Sequence, residues 1–498
     1  MTALPAADGG PLHALRGGVA MRSSAAANIG GRSDVTPEAR ASVGGPRFTV
    51  GRHPDRVRVP DYLHAWWTEL GINTVTANAP HVVWRVRGPG CASRFRAAVR
   101  SAVARHDVLT RRVVRDHGIF YLERAPCWEI IEHSSADVGN AAAQNESPQL
   151  RRTIFALVWT PFADDAGVFR PFVIEISATD AVCGFVVHHR VADHYGLQIL
   201  AREISDEILG AAPESARNAR TQLQYADFLQ GMADWVTGPE AGRRLEYWRE
   251  CMRDAPQTCL PNAVSVDAAA VGPFTYIDFG LCATLRTRLA SVARSCRSTL
   301  SLVTMAAHHI ALAAESGQRD IVANVIVSGR DAPALLDMLG YTADCFPLRA
   351  AVSPGATFTS FVREMQQKFT LASRNRVKWE LVELAMKNVR ASTVAPVFNF
   401  HAAGEESAMA SNRVDGREPD LSLEPIEVDS APERGSASFN MSHGLTLIDT
   451  GHVVHAHVRY LEMRHDRRTI ESFMDRFSRC LTTVGHDPFA LVEHIMES

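Results

Sequence analysis

Lysine is almost missing from this 498-residue chain: Lys368, Lys378 and Lys387 are the only three, and arginine supplies the rest of the 52 basic side chains. Against 55 acidic residues they leave a formal charge of −3, so nucleic acid and anionic membranes have no global electrostatic claim on it. Nine cysteines are scattered at 91, 127, 183, 251, 259, 282, 296, 345 and 480, with no CxxC pair and no histidines at metal-site spacing. That pattern excludes a disulfide framework and the common zinc modules. No apolar run reaches the ~18 residues of a membrane span, and the first thirty residues lack the apolar core of a secretory leader. A soluble, cytoplasmic protein is the expectation. There is no GxGxxG and no phosphate loop ending in Gly-Lys-Ser/Thr, so no nucleotide site is indicated. No GxSxG elbow supports a covalent serine mechanism.

What is present is an ordinary globular balance, 46% apolar and 21% charged, at a length that suggests two to four structural units at roughly 100 to 200 residues each. Residues 1–58 stand apart. Alanine, glycine, serine and arginine dominate them, and Phe48 is the only aromatic of the first fifty residues. Leu12, Leu15 and Val19-Ala20-Met21 suggest a helical turn running into a strand. Thr36 before Pro37 is a good cap for a further small helix.

Beyond residue 59 the periodicities sharpen. Phe95, Val99, Ala102 and Val103 predict a helix ending near Arg105-His106, and Leu197, Leu200, Ile204 and Ile208 stripe another. Strands are expected at 170–177 and 182–187, with one helical stretch from Tyr225 through Trp248. A second half follows, with helices near 300–314, 357–372 and 468–482 and strands near 321–327, 396–401 and 452–459. Residues 403–436 read as a long polar loop. Alternating helices and strands in both halves predict an α/β (α+β) protein of two lobes, 59–238 and 239–498.

The chemistry concentrates in Val186-Val187-His188-His189-Arg190-Val191-Ala192-Asp193-His194-Tyr195-Gly196. An apolar strand delivers two histidines to its end, and adjacent strand residues face opposite ways. One ring therefore faces a cavity while the other packs. A neutral imidazole near pH 7 accepts the proton of an attacking amine or hydroxyl, and a turn after His189 lets Asp193 fold back to orient the loop. Divergent histidines without HExxH or a cysteine set argue against a metal. His308-His309, in an alanine-rich helix without the aspartate, reads as structural.

His188 to Gly196 resembles the HHxxxDG signature of nonribosomal peptide synthetase condensation domains, members of the chloramphenicol-acetyltransferase-like superfamily. Further resemblances follow in family order. Arg105-His106-Asp107-Val108-Leu109 is similar to RHExLRTxF, Gln224 to Phe228 to YxDYAxW, and Tyr247-Trp248 to the YW after it. Ser328-Gly329-Arg330 and Leu339 to Arg349 resemble the GR and IGxFVNTxPLR pair, and Pro396 to Phe400 the PLFxxxFNY ending.

The resemblance implies a V-shaped pair of lobes with a tunnel between them, entered from opposite ends by phosphopantetheine arms on carrier proteins. No cofactor is expected on this chain itself. His189 would position or deprotonate the acceptor, with His188 and Asp193 mostly structural. Backbone donors near Gly196 would stabilise the oxyanion, and Asn399 would line the tunnel. Arg105, Arg111 and Arg330 carry the structural motifs. The family glycine after the aspartate is His194 here, and the second arginine of RHExLRTxF is Thr110 with Arg111 one place on, so the partner of Asp193 is left open. Carrier proteins are expected in trans, docked through residues 1–58, which resemble a β-hairpin docking domain that receives a carrier's tail by strand addition. The protein is expected to be a monomer that forms an amide or ester, as a chain-release step in the variant that esterifies a free acceptor. An epimerisation-type relative and a non-catalytic recruitment module are the competing readings.

Overall fold

A computed structural model describes residues 38–40, 45–51, 55–64, 67, 80–125, 128–138, 147–163, 166–211, 222–264, 274–378, 381–382, 395–402, 420–428 and 442–497. They lie in one compact unit, Pro37–Ser498. Its first lobe is built on a five-stranded sheet in the order Ser422–Pro425, His81–Arg87, Asp180–Val187, Phe169–Ser177, Ile131–Ser134. The central strand, Asp180–Val187, is buried from Ala181 onward, which is why its sequence reads as an unbroken apolar run rather than an alternation. The amphipathic helices Cys91–Arg105 and His194–Ile208 pack on each other against this sheet. A second sheet of Arg56–Arg58, Ile119–Arg124 and Arg111–Asp116 flanks it.

The second lobe repeats the theme with six strands in the order Phe274–Leu281, Val454–Leu461, His443–Asp449, Val397–His401, Asp320–Val327, Asp344–Ala351. Helices Leu300–Ser316, Phe358–Arg374 and Arg467–His486 cover one face and form its core. Thr299 caps the first of them by accepting from Leu302 N. That helix stops at Gly317, whose φ of +70° suits a residue without a Cβ. Among the described residues no helix is long and apolar enough to cross a membrane.

Four sequence expectations are corrected. The helix expected after Thr36-Pro37 is a strand, Glu38–Arg40, paired antiparallel with Arg47–Thr49; the Leu12–Met21 pattern lies outside the described residues. The boundary drawn at 58/59 falls inside the compact unit. Phe48 and Val59 are fully buried in the first core, and the Phe48 ring stacks on Phe228 at 5.5 Å. The helical stretch from Tyr225 through Trp248 breaks into Tyr225–Val236 and Pro239–Cys251. The N–H that proline lacks is dispensable only in a helix's first turn, so Pro239 starts a new helix. Finally, the loop expected over 403–436 contains Ser422–Pro425, which adds to the edge of the first lobe's sheet beside His81–Arg87. Leu421 and Leu423 gain burial only through that distant partner.

Candidate active site

The strand Asp180–Val187 ends at His188, and a turn closed by Val191 N donating to His188 O at 2.9 Å redirects the chain. The two histidines diverge as a strand end requires. His188 packs on Phe162, ring centroids 5.4 Å apart, and its Nδ1 accepts from Arg190 N at 3.1 Å. Burial, with the nearby Arg190 charge adding to it, pushes its pKa down to about 3. His189 turns the other way and meets the edge of Tyr341 at 5.5 Å. Its Nδ1 donates to Ala192 O at 2.8 Å, which puts the basic lone pair on Nε2. Burial lowers its pKa, opposed by the Ala192 carbonyl and the Asp193 charge. The ring is therefore neutral at pH 7 and already in the tautomer a proton acceptor needs.

Asp193 is buried and fixes this loop to the second lobe. Oδ1 accepts from Gly196 N at 2.7 Å and from Arg330 Nη2 at 3.3 Å. Oδ2 accepts from Thr342 N at 2.8 Å, Thr342 Oγ1 at 3.0 Å and Ala343 N at 2.8 Å. Burial alone would raise its pKa, but the Arg330 guanidinium and those N–H groups hold it below the usual carboxylate range. Arg330 is pinned in turn by the carbonyls of Leu335, Met338 and Gly340.

The open question of the aspartate's partner is thereby answered: it is Arg330, on the second lobe. Arg111 instead pairs with Asp107 through contacts of 2.6 and 2.8 Å. Arg105, with His106, clamps the buried Glu203 at 3.0 and 2.8 Å, tying two helices of the first lobe together. The oxyanion role expected near Gly196 is also corrected at that residue. Its N–H is spent on the Asp193 cap, and its lack of a side chain serves packing, since a Cβ would stand 2.9 Å from Gly340 O. Asn399, expected to line a tunnel, donates its Nδ2 to His401 Nε2 at 3.1 Å.

Sequence reasoning missed three participants: Thr342, Ala343 and His401. Thr342 and Ala343 lie within the quoted Leu339–Arg349 stretch, yet nothing local marks them as donors to a residue 149 or 150 positions earlier. His401 touches His194, the residue at the departed glycine position, with ring centroids 4.4 Å apart. Among the described residues no three His, Cys, Asp or Glu side chains converge as a metal site would need.

Two α/β lobes joined over a histidine at a strand end define a two-lobed protein of the chloramphenicol-acetyltransferase-like fold. A family model described as Condensation domain matches residues 73–496, and the chain belongs to that family of nonribosomal peptide synthesis. Among curated relatives, it is 25% identical over 428 residues to the probable non-canonical nonribosomal peptide synthetase CymA of Salinispora arenicola, covering 83% of this chain and 5% of that one. The chain spans 5% to 30% of the length of the first two curated relatives it matches. Solved structures share the fold at low identity. The X-domain from teicoplanin biosynthesis aligns with a TM-score of 0.69 at 20% identity, over 89% of this chain and 98% of that one. SgcC5 of Streptomyces globisporus, solved with a naphthyl ethanediol and sucrose, aligns with a TM-score of 0.65 at 18% identity, over 84% and 95%.

Proposed function

We propose that the protein transfers an acyl chain from a carrier-held phosphopantetheine thioester to an amine or hydroxyl acceptor. The observation that carries this reading is His189: a neutral imidazole beside the inter-lobe contact, with Nδ1 tied to Ala192 O and Nε2 as its base. In this reading Nε2 takes the proton of the acceptor as its nitrogen or oxygen attacks the thioester carbonyl. The tetrahedral intermediate then collapses, the C–S bond breaks, and His189 returns the proton to the leaving thiolate. The products are an amide or ester and the free pantetheine thiol. His188 and Asp193 hold the loop and do not touch the reacting atoms.

Carrier proteins act in trans in this proposal, and docking of a carrier tail falls to the 1–58 segment. The ethanediol bound in the SgcC5 structure supports including hydroxyl acceptors, and with a free acceptor the reaction is a chain-release step. One fold relative favours a second reading, recruitment without chemistry, because a teicoplanin X-domain has been solved as a complex with OxyB.

The deciding experiment loads a carrier protein with a model acyl chain and follows its mass with this protein and a panel of amines and alcohols. Acyl loss with matching amide or ester product, abolished in His189→Ala, is expected. A carrier that binds but keeps its acyl group with every acceptor supports recruitment instead.

A further inference from the structure

Two cations of the second lobe stand behind the contacts that hold Asp193. After the helix Phe358–Arg374 the chain runs through Asn375, Arg376, Val377 and Lys378, with Val377 buried in the second lobe's core. The main chain here is held from the helix Pro239–Cys251, where Trp248 Nε1 donates to Asn375 O at 2.9 Å and Arg244 Nη1 to Arg376 O at 3.1 Å. From that fixed backbone Arg376 reaches the residues on either side of Arg330. Its Nη2 donates to Gly329 O at 3.3 Å and lies 3.1 Å from Asp331 Oδ2. Lys378 reaches the other arm, where its Nζ donates to Thr342 O at 3.1 Å and to Ala343 O at 3.0 Å.

Lys378 is the side chain to explain. Lys368, another of the three lysines, pairs with Glu364 on a partly exposed helix face, whereas Lys378 is 4% exposed. Taking an ammonium out of water is costly, and packing alone would be served by an apolar side chain. What the ammonium does is visible in the peptide group between Thr342 and Ala343. Lys378 donates to its carbonyl oxygen, while its N–H donates to Asp193 Oδ2 at 2.8 Å. A cation on the carbonyl polarises the peptide and strengthens the bond made by its N–H. The same ammonium lies 5.8 Å from the ring centre of Tyr341, within cation–π range, and Tyr341 is the ring that meets His189 at 5.5 Å. Lys378 thus stands behind His189 on two routes, through Tyr341 and through the Asp193 loop.

We propose that Lys378 is a positioning residue for the transfer reaction, with Arg376 as its counterpart on the Arg330 arm. Lys378 holds Tyr341, Thr342 and Ala343 in the one arrangement that keeps the His189 loop and ring in place. The inference rests on the transfer reading above and extends it to a side chain that acts only through others.

The test uses the full chain and two readouts. The first is acyl transfer from a hexanoyl-loaded carrier to whichever of phenethylamine and phenylethanol turns over. Lys378→Met should lower kcat about tenfold or more, because a ~1 Å displacement of a reacting group can cost ~100-fold. KM for carrier and acceptor should change by less than about twofold, and Lys378→Arg, which keeps a cation and its donors, should recover most of the lost kcat. The second readout is the nitrogen NMR spectrum of protein carrying isotope-labelled histidine, with the His189 signals assigned by their loss in His189→Ala. Wild-type His189 should show a single tautomer protonated at Nδ1. Lys378→Met should broaden or split these signals and leave those of His309, buried in the helix Leu300–Ser316, where they are. A merely structural lysine would lower the urea midpoint yet leave kcat and the His189 signals as in the wild type, and that result overturns the proposal. If Lys378→Met does not fold, Arg376→Gln loosens the other arm, and unchanged kcat and His189 signals there overturn it equally. If the wild-type protein acylates neither acceptor, the transfer reading fails with these acceptors, and the His189 signals alone decide the positioning role.

Discussion

The second lobe's core should make the protein acid-sensitive well above the carboxylate range. His308 is fully buried, packs against Phe398 at 5.4 Å and Phe473 at 5.7 Å, and has no hydrogen-bond partner on either ring nitrogen among the described residues. His443 stacks edge-on to Phe473 at 4.9 Å, and Ser442 Oγ bridges it to His465 at 3.3 and 2.8 Å. Burial pushes His308 well below its ordinary value, His443 to about 3 and His465 to about 4. A folded pKa below the unfolded one means that the unfolded chain binds more protons once the pH falls below about 6.5, so stability drops in that window. Between about pH 7.5 and about pH 5.5 each such histidine removes ~1.4 kcal/mol, and the three together ~4 kcal/mol. Urea unfolding followed by circular dichroism at the two pH values measures the fall. Histidines of the inter-lobe contact add to it, so the decisive comparison is His308→Leu. That variant should recover ~1.4 kcal/mol of the loss and gain about 1 kcal/mol at pH 7.5, because it removes an unsatisfied polar ring. A pH dependence identical in the wild type and His308→Leu would refute the reasoning.

The remaining predictions concern the site. His189→Ala should cut kcat/KM by about a hundredfold or more without moving the urea midpoint, and wild-type kcat/KM should stay flat down through about pH 6.5, falling only below it, because burial holds the ring neutral. Asp193→Ala should cost about 3 to 5 kcal/mol by leaving Arg330 buried without its carboxylate. In double-mutant cycles Asp193 should couple with Arg330, whereas Asp193 and Arg111 should add within ~0.5 kcal/mol. Gly196→Ala should cost about 1 to 3 kcal/mol in the same melts, since the new methyl must push Gly340 away.

Legibility followed the range of the interaction. The helix His194–Ile208 and the strand Asp180–Val187 announce themselves because their own periodicity is what the core buries. The strand His81–Arg87 is harder to read: Arg85 is fully buried there, paired with Asp180 at 2.7 Å, and interrupts the apolar pattern. Ser422–Pro425 becomes a strand only because an edge of the first lobe's sheet waits for it. The paired histidines and Asp193 are visible as a local motif, and Arg330 as part of another. Their pairing joins positions 137 residues apart, and no local pattern encodes that. The Gly196 expectation fails for a related reason. A helix start offers N–H groups to any nearby anion, and the anion here is the protein's own cap.

The two lobes are interleaved, and this bears on where the site resides. Ala332, Leu335, Met338 and Leu339 come from the second half of the chain but are buried in the first lobe's core. The same segment supplies the carbonyls that hold Arg330, and the chain immediately after it supplies Thr342 and Ala343. Among the described residues the Asp193 carboxylate accepts five hydrogen bonds, and of these only that from Gly196 originates within the first lobe. A first lobe deprived of the second would keep the His188-His189 strand end yet bury a carboxylate without its cation, a cost that favours opening the loop. The loop that carries His189 is thus anchored at the junction through Asp193, while Ala192 O orients the ring itself.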